Sequence, residues 1–456
     1  MYRIFIRGDE NESVPSVHQG GLVLDYFTDK GRSTLQAHLD DIAKRVGPPT
    51  DPAVEFLLFS SGIYVADKKC PRRNAPDAWT RLFAVNSPVS STAIWSRATG
   101  HLSEALAFLT GDQWKLRWRR SSIDLGTEQQ PSGSHFNAVC LFSGGVDSLI
   151  GAINLLESDR KSRVVLVGHY DSTHTPGTQK VLADELIQEY GDERVLPLRV
   201  LVRPAPIRDG VQAYPLPAVK ESTTRSRSLV FLGLGMAVAA ALGPAVPLYI
   251  PENGFIAINV PLHGSRVGSC STRTTHPYFL DRIANALGVV GVKNPIVNPY
   301  VYKTKGEMVR ECKNQDLLRR VAHITVSCAH PERKQNETNT WPNCGYCYPC
   351  LIRRAAFNWA GFESSSMYAR YRRDICSDTD LFSRGNLRGR DVRAVAAAFH
   401  HADGHRGASH LRAAVSGLIP SGYDMARLSE MHVRGLFELR ALLQKATAPI
   451  RMFIGV

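Results

Sequence analysis

No run of roughly eighteen or more apolar residues occurs anywhere in the 456 residues, which excludes a conventional membrane-spanning helix. The opening stretch Met1 to Arg7 has no apolar segment of the kind a signal peptide carries, so the expected compartment is the cytoplasm. Cysteine is too scarce for a disulfide framework: there are nine, and four of them crowd together at metal-ligand spacing. No internal repeat is present, which excludes a solenoid or propeller array. Charged residues make up only 21% and apolar residues 43%, values of an ordinary folded chain rather than a disordered one. Acidic residues are outnumbered, and the formal charge is +13. Lysine and arginine minus aspartate and glutamate give 16 − 15 = +1 over residues 1–135, 25 − 19 = +6 over 136–364 and 14 − 8 = +6 over 365–456. The last segment is densest, with Arg370, Arg372, Arg373, Arg384, Arg388, Arg390 and Arg393. Nucleic acid or an acidic partner is one reading of that charge. A solvated basic helical face is favoured, because aromatic residues for base stacking are not interleaved with most of the arginines.

Three segments separate by pattern. Residues 1–135 contain strand-like stretches at Tyr2 to Arg7, Val54 to Ala66, Arg81 to Val85 and Gln113 to Arg120, and a helix between Ser96 and Thr110. They contain no catalytic constellation, and the expectation is an α+β accessory or interaction domain. The Gly-, Gln-, Pro- and Ser-rich stretch Gly126 to Ser134 reads as a linker. Residues 136–364 alternate apolar strands (Ala138–Phe142, Val164–His169, Val195–Val202, Val246–Pro251) with helices (Leu149–Leu156, Thr178–Tyr190, Ser226–Leu242). That rhythm predicts an α/β fold with a doubly wound parallel sheet. Residues 365–456 read as a basic helical extension, with helices over Val392–Phe399, Ser409–Leu418 and Met425–Leu443.

The first strand of the middle segment runs into Ser143-Gly144-Gly145-Val146-Asp147-Ser148 and then a helix. Glycines let the backbone turn tightly and bring N–H groups close to phosphate oxygens, and the helix adds its positive end. No Gly-Lys-Ser/Thr follows, so this is not a Walker A loop. The string resembles the Ser-Gly-Gly-x-Asp-Ser signature of the PP-loop ATP pyrophosphatases, which have an adenine nucleotide alpha hydrolase-like fold and split ATP between the α and β phosphates. The resemblance implies that Ser143, Gly144, Gly145 and Ser148, with Val146 between them, hold pyrophosphate, and that Asp147 acts through Mg²⁺. His169 and Tyr170 end the second strand at the carboxyl edge, where an open sheet has its crevice, and are candidate adenosine contacts. A structural histidine is the other reading of His169.

Cys344-x2-Cys347-x2-Cys350, with Cys328 sixteen residues upstream, offers four thiolates. Four sulfurs suit a closed structural Zn²⁺ site, and Gly345 permits the tight knuckle between ligands. An iron–sulfur cluster is the alternative, although the Cys-Pro that usually follows in ferredoxins is missing.

Further matches narrow the resemblance. Arg227-Ser-Leu-Val-Phe231 opens a small-residue helix; Pro299-x4-Thr304-Lys305-x-Glu307, Ser327-Cys328 and Cys344-Gly-x-Cys347-x2-Cys350-x2-Arg353 follow in order. Together these resemble the QueC family, the 7-cyano-7-deazaguanine synthases. That family adenylates 7-carboxy-7-deazaguanine, adds ammonia and dehydrates the amide to a nitrile. Two departures stand out. Ordinary members are about the size of the middle segment alone, and their Asp-x-Ser-Gly-Tyr-Pro-Asp-Cys-Arg recognition loop is missing here. In its place stand Pro251 to Phe255, Asn259-Val-Pro-Leu262 and Thr275-His276-Pro277. This pattern is similar to the QueC-like proteins of bacterial antiphage operons, of the Qat type. The resemblance implies a ligase that hands a deazaguanine acid to an amine on a partner protein of the same operon. A precursor synthase, a tRNA-modifying enzyme that uses the basic tail, and a non-catalytic ATP-binding scaffold are the alternatives.

Chemically, a guanine-like base needs a carboxylate to accept its N1–H and amino group, which Glu252 can supply, while Asn253 and Asn259 offer donor–acceptor pairs. Arg227, Arg266 and Lys305 can neutralise phosphate or the charge developing on an acyl-adenylate. Surface charge or structural hydrogen bonding is the other reading of each, and Asn253-Gly254 is also a favourable turn pair.

Overall fold

The computed structural model describes residues 1–27, 29–123, 135–171, 176–261, 273–329, 343–383, 385–404 and 418–456. Among the described residues ten strands form two sheets. Strands β1 (Tyr2–Arg7), β2 (Leu22–Asp25), β4 (Leu82–Val89) and β5 (Gln113–Arg120) make the first, in the order β2-β1-β4-β5, with every pairing parallel. The strands β1, β2, β4 and β5 thus form a parallel sheet joined by helices, an α/β arrangement where an α+β unit was expected. The strand over Val54 to Ala66 is likewise corrected: these residues lie in a helix, Asp51–Lys69. Nearly every side chain from Ala53 to Ala66 on this helix is buried. A helix enclosed on all sides shows no polar face, so the 3.6-residue period that would have revealed it is missing.

The second sheet contains β6 (Ala138–Leu141), β7 (Val164–Tyr170), β8 (Val195–Pro204), β9 (Leu248–Tyr249) and β10 (Ile296–Val297), in the order β10-β9-β6-β7-β8. All these pairs are parallel. The chain winds outward from β6 through β7 to β8, then restarts on the other side with β9 and β10. The winding therefore reverses between β6 and β9. At the β8 edge the short strand β3 (Leu35–Ala37) pairs antiparallel, so the N-terminal segment closes this sheet.

Strand alternation assigns the two faces. Ala138 and Cys140 of β6 point into a core shared with the helices Val146–Ser158 and Pro176–Tyr190. Val139 and Leu141 point into a larger core shared with the helix Arg227–Leu242 and the N-terminal helix Asp51–Lys69. Helices thus cover both faces, as a buried parallel sheet requires. Gly233 lets the two long helices approach, since a Cβ there would lie 3.1 Å from Ser60. One apolar core therefore runs continuously from residues 1–110 into the second sheet.

A third core gathers the C-terminal helices Arg390–Gly404, Met425–Leu443 and Ala448–Ile454 around Tyr348–Ala360 and Phe255. The stretches Gly126 to Ser134 and Ser409 to Gly417, expected as a linker and part of a helix, lie outside the described residues. Among the described residues no helix is long and apolar enough to cross a membrane.

Candidate functional site

The loop 143–148 leaves β6 at the point where the winding reverses, which is where open α/β sheets bind ligands. Gly144 takes φ +83°, a left-handed conformation that glycine adopts freely. Gly145 starts the helix Val146–Ser158, and no side chain caps the helix N–H groups there. Ser143 stands exposed at the mouth. Buried Ser148 donates from Oγ to the Gly145 carbonyl at 2.9 Å, and its Oγ lies 3.3 Å from that of Ser143. The exposed hydroxyl, which accepts from Gly145 N at 3.3 Å, the loop N–H groups and the helix end together make a cradle for an anionic group.

Asp147 is 5% exposed and sits at the centre of a charged knot. Lys305 Nζ donates to its Oδ1. Asn253 donates to Oδ2 twice, from its backbone N at 3.2 Å and from Nδ2 at 2.7 Å. Asn253 Nδ2 also reaches Glu252 Oε1 at 3.0 Å, while its Oδ1 accepts from Ile256 N and caps the helix Gly254–Ala257. The strand end 251–253 can lie over the Asp147 helix because Gly151 has no side chain; a Cβ there would be 2.1 Å from Pro251.

Burial alone would raise the Asp147 carboxyl, but Lys305, Glu252 and Asn253 outweigh it and hold it below the usual carboxylate range. Half-buried Glu252 moves the other way: burial and the Asp147 charge push it well above that range, so it keeps its proton. Two neighbouring carboxyls driven apart in this way provide one anion and one acid.

Both oxygens of Asp147 are thus committed to Lys305 and Asn253. The Mg²⁺ expected there does not fit this arrangement, since Lys305 already supplies the countercharge. Asn253, expected to read a base edge, spends its whole amide inside the protein.

A second group forms at the carboxyl end of β7. His169 is fully buried; its Nε2 lies 3.0 Å from the Val202 carbonyl and its Nδ1 accepts from Arg227 Nε at 3.4 Å. With both ring nitrogens used, it has none for adenosine. Burial and the Arg227 charge keep it neutral, pulled down to about 3. His169 instead orients exposed Arg227, whose guanidinium also lies 5.6 Å from the Phe231 ring. Half-buried Tyr170 follows, and then Asp171, which accepts from Lys68 at 2.5 Å and Tyr64 at 2.8 Å. Lys68 and Tyr64 belong to the N-terminal helix, and the sequence reading gave them no role. Asp67 on the same helix accepts from the Arg225 and Ser226 N–H groups, fixing the start of the Arg227 helix. Asn259 is half-buried at φ +43°, with Nδ2 unpartnered. Arg266 lies outside the described residues.

Gln179 was also missed. It is 1% exposed on the helix Pro176–Tyr190, and among the described residues neither amide atom has a hydrogen-bond partner. It lies against the phosphate cradle, where a Cβ on Gly144 would be 3.4 Å from its Cγ. An unpaired buried amide is costly unless a ligand completes it, and nothing in the spacing of the sequence marks it.

The four cysteines converge, with all four sulfurs within 4.8 Å of one another. Cys328 and Cys347 are 3.8 Å apart, and Cys344 and Cys350 3.9 Å apart. Sulfurs placed tetrahedrally at about 2.3 Å from Zn²⁺ are separated by about 3.8 Å, so the cage fits that ion. The backbone N–H groups of Cys344 and Cys347 point at the sulfurs of Cys328 and Cys344, at 3.4 and 3.3 Å. Gly345, at φ +86°, passes so close to Arg373 that a Cβ would lie 2.0 Å from its carbonyl oxygen. The extended segment entering the cage is bonded to the cradle through Val326 N and the Gly144 carbonyl, 3.0 Å apart.

The chain is similar to a 7-cyano-7-deazaguanine synthase. The relative, from Novosphingobium aromaticivorans, is 27% identical over 238 residues, covering 51% of this chain and 94% of the relative. The likeness is distant and supports a QueC-like relationship; about half of this chain has no counterpart in it. No family model matches the chain, and no solved structure matches it.

Proposed function

We propose that the chain is an adenylating enzyme that uses ATP to activate a 7-deazaguanine carboxylic acid and passes the acyl group to an amine. The observation that carries this reading is the Asp147–Lys305–Asn253–Glu252 knot beside the cradle at the reversal of strand order. The substrate carboxylate oxygen attacks the α phosphorus, the α–β bridge breaks, and pyrophosphate leaves. The amine nitrogen then attacks the acyl carbon, AMP leaves with the C–O electron pair, and the nitrogen loses a proton.

In this scheme the loop N–H groups and Ser143 bind the departing pyrophosphate. Lys305 and Arg227 stabilise the charge that develops on phosphate oxygens. Protonated Glu252 offers a hydrogen bond to the acid or its base, and ionised Asp147 holds Lys305 in place. Bound Zn²⁺ supplies structural cross-linking: Cys328, Cys344, Cys347 and Cys350 fill all its positions, so it has no site for substrate. The similarity to the synthase supports the deazaguanine class of substrate. The replaced recognition loop and the flanking segments support an acceptor other than ammonia, which we assign to an amine on a partner protein of an antiphage operon.

Purified protein with ATP, Mg²⁺ and 7-carboxy-7-deazaguanine, with and without the products of neighbouring genes, should release pyrophosphate and AMP. Mass spectrometry then reads the product as a nitrile, a free amide or a mass added to a partner. Absence of pyrophosphate in every mixture would overturn the proposal.

A further inference from the structure

The C-terminal helix Met425–Leu443 touches the reaction site through two charged side chains. Glu438 is 4% exposed, accepts from Gly306 N at 3.1 Å and is hydrogen-bonded to Thr304 Oγ1. The approach is close: a Cβ on Gly306 would lie 2.4 Å from the Glu438 carboxylate and would displace it. One turn earlier, Arg434 donates to Glu307 Oε1 at 2.6 Å and to the Tyr302 carbonyl at 3.0 Å. Thr304 and Glu307 are the two halves of the capping box that starts the helix Lys305–Arg310. Lys305, its first residue, therefore leaves a turn gripped on both sides by the C-terminal helix. The same helix presses on the other arm of the knot: Gly435 packs against Phe255, and a Cβ on Gly254 would lie 2.8 Å from Met431.

We infer that Glu438 is a positioning residue for the proposed reaction, holding Lys305 toward Asp147 from outside the synthase-like part of the chain. This rests on the adenylation reading above. When ionised, Glu438 has acceptors for both Gly306 N–H and the Thr304 hydroxyl; when protonated, one oxygen becomes a donor and the grip loosens. Burial pushes its carboxyl up; the bonds from Thr304 and Gly306 oppose this, Glu307 adds to it, Lys305 opposes it, and the result is about 7. The charged groups near it are thus Lys305 and Glu307 on the facing helix and Arg434 on its own, already tied to Glu307. The packed helix Tyr348–Ala360 contributes Leu351, Ile352 and Ala355 to the shared apolar core.

The test compares the full-length protein with Glu438→Gln and Glu438→Ala, following pyrophosphate release from pH 5.5 to 9. The wild type should lose kcat on an acid limb near neutrality. Glu438→Gln, which keeps one acceptor, cannot ionise and so matches the protonated acid, should lack that limb and stay at the wild type's acid-limb rate from pH 5.5 to 9. Glu438→Ala should lose about 10- to 100-fold in kcat, as expected when a charged group drifts by about an ångström. Acylation of Lys305 by an amine-reactive ester, read by peptide mass spectrometry at pH 8, should be at least about tenfold faster in Glu438→Ala than in wild type. An acid limb that persists in Glu438→Gln, or Lys305 labelling equal in all three proteins, overturns the inference. If no protein releases pyrophosphate, the adenylation reading fails, and the labelling still decides the role of Glu438.

Discussion

Lys305→Met is the most direct probe of the buried knot. The side chains of Lys305 and Asp147 are each 7% exposed, so the substitution leaves a carboxylate enclosed without its countercharge. Removing one partner of such a pair costs roughly 3–5 kcal/mol. Asp147 keeps two donors from Asn253, which places the expected loss at the lower end, about 3 kcal/mol. With Lys305 gone, burial becomes the dominant influence and lifts the Asp147 carboxyl. The deficit should therefore be largest at pH 8 and shrink as acid supplies the missing proton. Asp147→Asn combined with Lys305→Met removes both charges and should recover all but about 1 kcal/mol. Urea unfolding of the zinc-loaded proteins, followed at the first transition, measures the three differences. A single variant within about 0.5 kcal/mol of wild type, or a double variant no more stable than the single, would refute a desolvated pair.

Glu252→Gln should stabilise the protein at high pH. Unfolded, Glu252 ionises at its ordinary value; folded, burial and Asp147 retain its proton, so folding takes up a proton and stability falls as pH rises between the two values. The variant should melt higher than wild type at pH 8 and equally at pH 4, while losing activity. Metal analysis should find one zinc per chain and no absorbance from iron–sulfur charge transfer, and a chelator should lower both melting temperature and ATP affinity, because Val326 connects cage and cradle. Gly345→Ala, at φ +86° and facing the Arg373 carbonyl, should cost about 2 kcal/mol or more and shed zinc faster to a competing chelator. Asp147→Asn should abolish pyrophosphate release; retained antiphage protection in that variant would favour a scaffold role.

The glycine turn that opens a helix at 143–148 and the cysteine cage were legible in the sequence because both are local: one contiguous loop, and cysteines spaced by a knuckle and a helix turn. The β-α rhythm of residues 136–250 was legible for the same reason. What escaped depends on contacts distant in the chain. The helix Asp51–Lys69 has no polar face because two sheets enclose it, and its Lys68 gains meaning only beside Asp171. His169 and Asn253 were expected to contact ligand, yet their partners Arg227, Val202 and Asp147 turn their polar atoms inward. Sequence shows which groups can bind a ligand, but only packing shows which of them are already occupied.

The tie between Glu438 and Thr304 spans 134 positions, and that between Lys305 and Asp147 spans 158. During synthesis the loop 143–148 emerges early, the ammonium paired with its aspartate comes 158 positions later, and the carboxyl bonded to Thr304 comes later still. A nascent chain that stops short of Lys305 carries that loop without its countercharge, and one that stops short of the helix Met425–Leu443 carries Lys305 without the carboxyl that meets its turn.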